Sequence, residues 1–213
     1  MIYNQSMISF VYFDVGGVVI KDFSGTNKWN EMKHELGVPD DLMTSVDEAW
    51  KKYKGPIDNG DINLQKIENM LRDEFHIPIP KNYSMLDDFV NRFEQNPSIW
   101  PVIKEIHTTH RIGLLTNMYI GMFDKIIKRN ILPPEQWDVF IDSSIVHMKK
   151  PDKNIYEYAQ RQAGVPASEI FFIDNLERNI LPAKELGWQT FFYDSKNPEE
   201  SSKLLLETFY AQK

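Results

Sequence analysis

From Pro97 onward, short apolar runs of strand length alternate with amphipathic helical stretches. A chain patterned in this way has few options other than a parallel sheet with helices packed on its faces. The strand-like runs are Ile112 to Leu115, Val139 to Ile141, Ile170 to Ile173 and Gln189 to Tyr193. A helical pattern carrying Ile99, Val102, Ile103 and Ile106 precedes the first run. Others follow around Met122 to Ile127, from Pro151 to Ala163 with Gly164 as its stop, up to Gly187, and after the last run. Ahead of all these, Ile8 to Phe13 is apolar and aromatic apart from Ser9 and halts at Asp14 and the pair Gly16-Gly17. That is the signature of a strand buried on both faces. The expected fold class is therefore α/β.

Between the first strand and the alternating region, from about residue 22 to about 95, the pattern is helical without any strand-like run. Its clearest members are Asp41 to Tyr53, Asn63 to Phe75 and Ser84 to Phe93, each with one apolar stripe. Gly37, Gly55-Pro56, Gly60 and the stretch from Pro78 to Pro80 are expected to break the helices apart. The length of 213 residues accommodates one sizeable α/β core plus a small insertion. The expected division is a core of residues 1–20 and 96–213, with an all-helical domain over 21–95.

Composition removes whole classes of chemistry. With no cysteine, disulfides, thiolate nucleophiles and cysteine-ligated metal centres are out. A formal net charge of −7 and no basic cluster beyond pairs such as Lys51-Lys52 and Lys149-Lys150 argue against nucleic acid as a partner. The apolar run near the N-terminus is too short to span a bilayer and meets an aspartate where a cleavage site would need small residues. The expectation is a cytoplasmic protein with no membrane partner, either a monomer or a homodimer.

Ligands of open parallel sheets bind beyond the carboxyl ends of the strands, and here those ends carry Asp14, Thr116-Asn117 and Asp174. Asp14 before Gly16-Gly17 suits a nucleophile or metal ligand approached closely by backbone, but it equally suits an aspartate capping a turn. Thr116 and Asn117 offer a hydroxyl and backbone N–H groups at the expected start of a helix, a site for phosphate oxygens or an ordinary N-cap. Lys150 stands where a helix should begin, a poor place for a cation without an anion nearby. Asp174 can hold a hard cation through oxygen with Asn175 assisting, although capping also favours Asp and Asn. Each motif alone is ambiguous; their order along one sheet is what counts.

Taken together, the segments FDVGGVV, LLTNM, KKPDKNIY and FFIDNLERNI resemble the four signatures of the haloacid dehalogenase-like (HAD) hydrolase superfamily. The resemblance implies a three-layer Rossmann-like core with residues 21–95 as a helical cap. It further implies Asp14 as the nucleophile, phosphate held by Gly17, Thr116, Asn117 and Lys150, and Mg2+ on Asp14, the Gly16 carbonyl oxygen and Asp174 beside Asn175. The implied activity is hydrolysis of a small phosphorylated metabolite through an aspartyl-phosphate.

Two departures qualify that activity. Phosphatases of the superfamily usually carry a second aspartate, the general acid, where this chain has Gly16. General acid-base help is worth about 10²- to 10⁴-fold, so a slow enzyme favouring good leaving groups is expected. Asp22 and His147 are replacements by sequence proximity only, and His147 reads better as a surface residue. Asn175 also stands where a second acid is common, which predicts weaker Mg2+ binding. Two other functions remain open: 2-haloacid dehalogenation, which needs neither acid nor metal, and a binding or regulatory role without catalysis. Trp29, Trp50 and Tyr53 read as core of the helical domain, with a substrate-stacking role as the alternative.

Overall fold

The computed structural model of the protein describes residues 7–211; residues 1–6 and 212–213, the outermost ends of the expected core, lie outside the described residues. Its strands run in chain order as β1 (Phe10–Phe13), β2 (Ile20–Lys21), β3 (Glu94–Gln95), β4 (Arg111–Thr116), β5 (Val139–Asp142), β6 (Ile170–Asp174) and β7 (Gln189–Phe192). Five of them form one sheet in the order β5-β4-β1-β6-β7, every pair parallel. The α/β expectation therefore holds. The chain builds outward from β1 through β4 to β5, then returns to β1's other side for β6 and β7. Crossovers on the two sides diverge, which opens a crevice at the carboxyl end of the central strands.

The uninterrupted apolar run of β1 is explained by layers on both faces. Phe10 and Tyr12 pack with Ile155, Tyr156, Ala159, Ile180 and Ala183, from α8 (Lys153–Ala163) and α9 (Glu177–Glu185). Val11 and Phe13 face the opposite way, in one cluster with Ile103, Ile106, Leu205 and Phe209, from α5 (Trp100–His107) and α10 (Pro198–Ala211). Each such side chain removed from water contributes about 1.5–3 kcal/mol. Gly113 in β4 leaves room for this packing, because a Cβ there would sit 2.8 Å from the Tyr12 ring and 3.0 Å from that of Phe10.

Four α-helices occupy the stretch between β2 and β3: α1 (Lys28–Glu35), α2 (Met43–Asp58), α3 (Gln65–Asp73) and α4 (Met85–Asn91), with a 3-10 turn at Asp40–Leu42 ahead of α2. Several local expectations are corrected here. The expected break at Gly55-Pro56 does not occur; α2 runs through Pro56 to Asp58. The loss of one helical hydrogen bond at proline is offset by complete burial of Ile57. The stretch also carries strand at its two margins, since β2 and β3 pair antiparallel as a two-residue ribbon, too short to leave a periodic signal. Beyond β4, α6 (Met122–Lys128) starts only after Gly121, and α7 (Ser143–Val146) follows β5 directly. Thr116-Asn117 therefore does not open a helix. Nor does Lys150, since α8 starts at Lys153; Lys150 sits in the preceding turn, joined to Pro151 by a cis peptide.

Candidate active site

Phe13 pairs with Ile173, so the next residues, Asp14 and Asp174, emerge side by side at the sheet's carboxyl edge. The Asp14 backbone N–H still donates to the Ile173 carbonyl at 2.9 Å. Both carboxylates are buried, and two like charges at such spacing are not stable unless something lies between them. Lys150 does: its ammonium is 2.9 Å from Asp14 Oδ1 and 2.6 Å from Asp174 Oδ2, and it also donates to the Leu115 carbonyl at 2.9 Å. The cation that the sequence puts at a helix start finds its anions at the strand tips instead.

Asn117 fixes that lysine. Its Nδ2 donates to the Lys150 carbonyl and its Oδ1 accepts from the Lys150 N–H, both at 2.8 Å. The sequence places Asn117 among the phosphate ligands; both ends of its side-chain amide are committed to the lysine backbone, so that role would fall to its backbone N–H. Asp174 is held as firmly. Asn179 Nδ2 donates to its two oxygens at 3.1 and 3.0 Å, and the Leu176 N–H to Oδ1 at 2.8 Å. From the layer behind, the buried Tyr156 hydroxyl donates to the Asn179 carbonyl at 2.8 Å. Asn179 lies within the fourth signature segment, and the sequence assigns it no role.

Two carboxylates and one ammonium leave an excess negative charge in a buried place. Burial pushes the Asp14 carboxyl up to about 7; Lys150 pulls it back and Asp174 pushes it up again. For Lys150, burial alone would weaken the ammonium, but Asp14 and Asp174 outweigh it and hold the group above the usual lysine range.

Beyond the strand tips opens a cavity of about 380 Å³. Asp14, Gly16, Thr116, Asn117, Lys150 and Asn175 form its polar floor. The opposite wall comes from the helical stretch and the segment after β4: Phe23, Trp29, Trp50, Phe89 and Tyr119. These rings contact one another, with Trp29–Trp50 at 5.0 Å, Phe23–Phe89 at 4.9 Å and Phe89–Tyr119 at 5.8 Å. Trp29 and Trp50 thus belong to core and cavity wall at once, whereas Tyr53 does not line the cavity. Lys54, Asp58 and Arg178 add charge to the lining; the first two lie outside every signature, and Arg178 lies within the fourth without an assigned role.

Gly17 has a left-handed φ of 78°, and a Cβ there would lie 2.2 Å from Asn175 Nδ2. Glycine is required on both counts. Asn175 is itself buried, and its Oδ1 finds no hydrogen-bond partner among the described residues. His147 is exposed, with Nδ1 3.0 Å from the Asn59 carbonyl oxygen, and lies outside the cavity lining. Asp22 is in that lining. Burial pushes its carboxyl above the usual range against hydrogen bonds from Ser24. No helix among the described residues is long and apolar enough to cross a membrane.

Several known proteins are similar to this chain in sequence or in fold. The chain is 23% identical over 197 residues to bifunctional epoxide hydrolase 2 of Sus scrofa, covering 84% of this chain but 35% of that protein. It thus spans about a third of that relative's length. Identity to sesquiterpene phosphatase astK of Aspergillus oryzae is 21% over 180 residues, covering 82% of this chain and 84% of that one. In fold, it matches the HAD family enzyme bt-2542 of Bacteroides thetaiotaomicron, crystallised with magnesium and inorganic phosphate. The TM-score is 0.69 at 20% identity, over 88% of this chain and 95% of that chain. The family model for haloacid dehalogenase-like hydrolases matches residues 9–187, a span holding both aspartates and the lysine between them, and the chain belongs to that family.

Proposed function

We propose that this hydrolase is a Mg2+-dependent phosphatase of small phosphorylated metabolites, with Asp14 as its nucleophile. The observation that carries the reading is the buried Lys150 ammonium bridging two strand-tip carboxylates, one of which faces the cavity. A phosphate dianion approaching Asp14 needs compensating positive charge, and a lysine fixed by Asn117 supplies it without reorganising. Asp14 attacks phosphorus in line with the leaving oxygen. Thr116 and the backbone around Gly17 hold the other phosphate oxygens, and water then releases phosphate from the aspartyl-phosphate.

The residues present also fit a hard cation. One uncompensated negative charge remains among Asp14, Asp174 and Lys150, and Asn175 brings a buried oxygen with no partner among the described residues. No three His, Cys, Asp or Glu among the described residues are placed to hold a metal ion together, so the ion would rest on Asp14, Asp174, Asn175 and the Gly16 carbonyl oxygen and keep water ligands, as Mg2+ does. When bound, it neutralises charge developing on the transferring phosphoryl group. The magnesium and phosphate bound by bt-2542 and the phosphatase activity in astK's name support the same reading.

Residues 21–95 act in this proposal as a cap whose aromatic wall receives the body of the substrate. An apolar or ring-bearing phosphate monoester fits that wall better than a small polar one. The test is turnover of p-nitrophenyl phosphate and acetyl phosphate, in Mg2+ and in EDTA, by wild type and Asp14→Asn. Both removing the metal and replacing Asp14 should abolish it; metal-dependent turnover in Asp14→Asn would refute the mechanism. Chloride release from 2-chloropropionate without metal would replace the proposal by carbon-halogen hydrolysis, and inertness toward all three compounds by a binding role. Trp50→Ala should raise KM for ring-bearing phosphates while leaving acetyl phosphate nearly unaffected.

A further inference from the structure

Hydrolysis of an alkyl phosphate at Asp14 requires two proton transfers that Asp14 cannot make while it is bonded to phosphorus. The leaving alkoxide must gain a proton, and the water that later attacks must lose one. Three aspartates line the cavity: Asp14, Asp22 and Asp58. Asp58 is neutralised by Lys54, whose ammonium meets its two oxygens at 2.8 and 2.7 Å. Asp22 has no ion-pair partner within 4.0 Å among the described residues; its Oδ1 accepts from the Ser24 N–H at 2.8 Å.

The other oxygen of Asp22 has a particular location. A Cβ built on Gly16 would stand 2.5 Å from Asp22 Oδ2 and 3.2 Å from its Cγ, and the nearest atoms it meets all belong to Asp22. Gly16 does not have a left-handed φ, so its backbone would accept any residue. What excludes a side chain at position 16, two residues beyond Asp14, is the carboxyl of Asp22 in the same volume.

We propose that Asp22 is the general acid and base of the reaction, a role that rests on the phosphatase reading above. As an Asp14 oxygen bonds to phosphorus, the P–O bond to the alcohol breaks. The leaving oxygen keeps the electron pair and takes the proton of the Asp22 carboxyl. In the second half, the Asp22 carboxylate takes a proton from water as that water's oxygen bonds to phosphorus and the P–O bond to Asp14 breaks. Phosphate leaves, and both aspartates return to their starting states.

The role is tested by the dependence on the leaving group, which a structural role would not alter. The full chain in Mg2+ is assayed with p-nitrophenyl phosphate, whose leaving group needs little help, and 2-phenylethyl phosphate, whose alkoxide needs a proton. Asp22→Asn should lower turnover of the alkyl ester by about 10²- to 10⁴-fold and of the aryl ester by less than about tenfold. The exchange variant Gly16→Asp/Asp22→Gly returns a carboxyl to the same volume and should recover much of the alkyl activity; it also decides the matter if Asp22→Asn folds poorly. Equal losses on both esters, no loss on either, or a selective loss in Tyr119→Phe but not in Asp22→Asn would overturn the assignment while leaving Asp14 as nucleophile. A wild type inert toward both esters would remove the phosphatase reading and this one together.

Discussion

Asp14→Asn should make the metal-free protein more stable at the same time as it stops turnover. An aspartate held at about 7 in the fold, against about 3.9 in an unfolded chain, binds its proton more tightly when folded. Its ionisation therefore favours unfolding, and stability is lost as pH rises from near 4 through 7. Some three units at 1.36 kcal/mol each give a cost of about 4 kcal/mol at pH 8, of which about 1.5 kcal/mol is present at pH 5. Asparagine keeps the shape without the charge, although it carries its own desolvation. The expected gain is roughly 2–4 kcal/mol at pH 8, or roughly 4–16 °C in melting temperature for a domain of this size, and about a third of that at pH 5. Urea and thermal unfolding in EDTA at the two pH values measure it. Added Mg2+ should stabilise wild type and close the gap, because a cation needs the ionised form. A less stable Asn variant at pH 8, or a difference that does not change with pH, would show that Asp14 carries no uncompensated charge.

Two further perturbations address the lysine. Lys150→Met leaves two buried carboxylates facing each other and should cost about 3–5 kcal/mol in urea unfolding; the double variant with Asp14→Asn should recover part of that, and a loss below about 1 kcal/mol in the single variant would contradict the bridging role. Asn117→Ala removes both hydrogen bonds to the Lys150 backbone. It should destabilise by about 1–3 kcal/mol and lower kcat more than it raises KM, whereas a change confined to KM would make Asn117 a direct phosphate ligand.

The strands were legible because a buried parallel strand cannot hide its composition. Observed bounds differ from the apolar runs by at most two residues at either end, and several coincide; the polar residues closing those runs are the ones the fold assembles. Helix starts were less legible. Lys150 and Thr116-Asn117 look like helix openings in one dimension, but turns intervene whose form depends on contacts with distant residues. The Asn117–Lys150 clamp links positions 33 apart, and the Lys54–Asp58 pair looks like an ordinary exposed i,i+4 pair until the cavity is seen. Trp29 and Trp50 show one stripe to the eye because a helix-core position and a cavity-wall position share the same periodicity. Asp22 was legible only as a neighbour. Its importance lies in a volume shared with Gly16, and shared volume leaves no mark in sequence.

The Tyr156 hydroxyl, on the rear side of the sheet, grips the backbone of the residue whose amide orients Asp174. Any engineer who repacks that hidden layer for heat resistance, trading tyrosine for a drier ring, also slackens a tether running straight to the carboxylate proposed to seat the cation. On that proposal one phenol tunes both thermal tolerance and metal appetite, and a screen for the first should drift in the second.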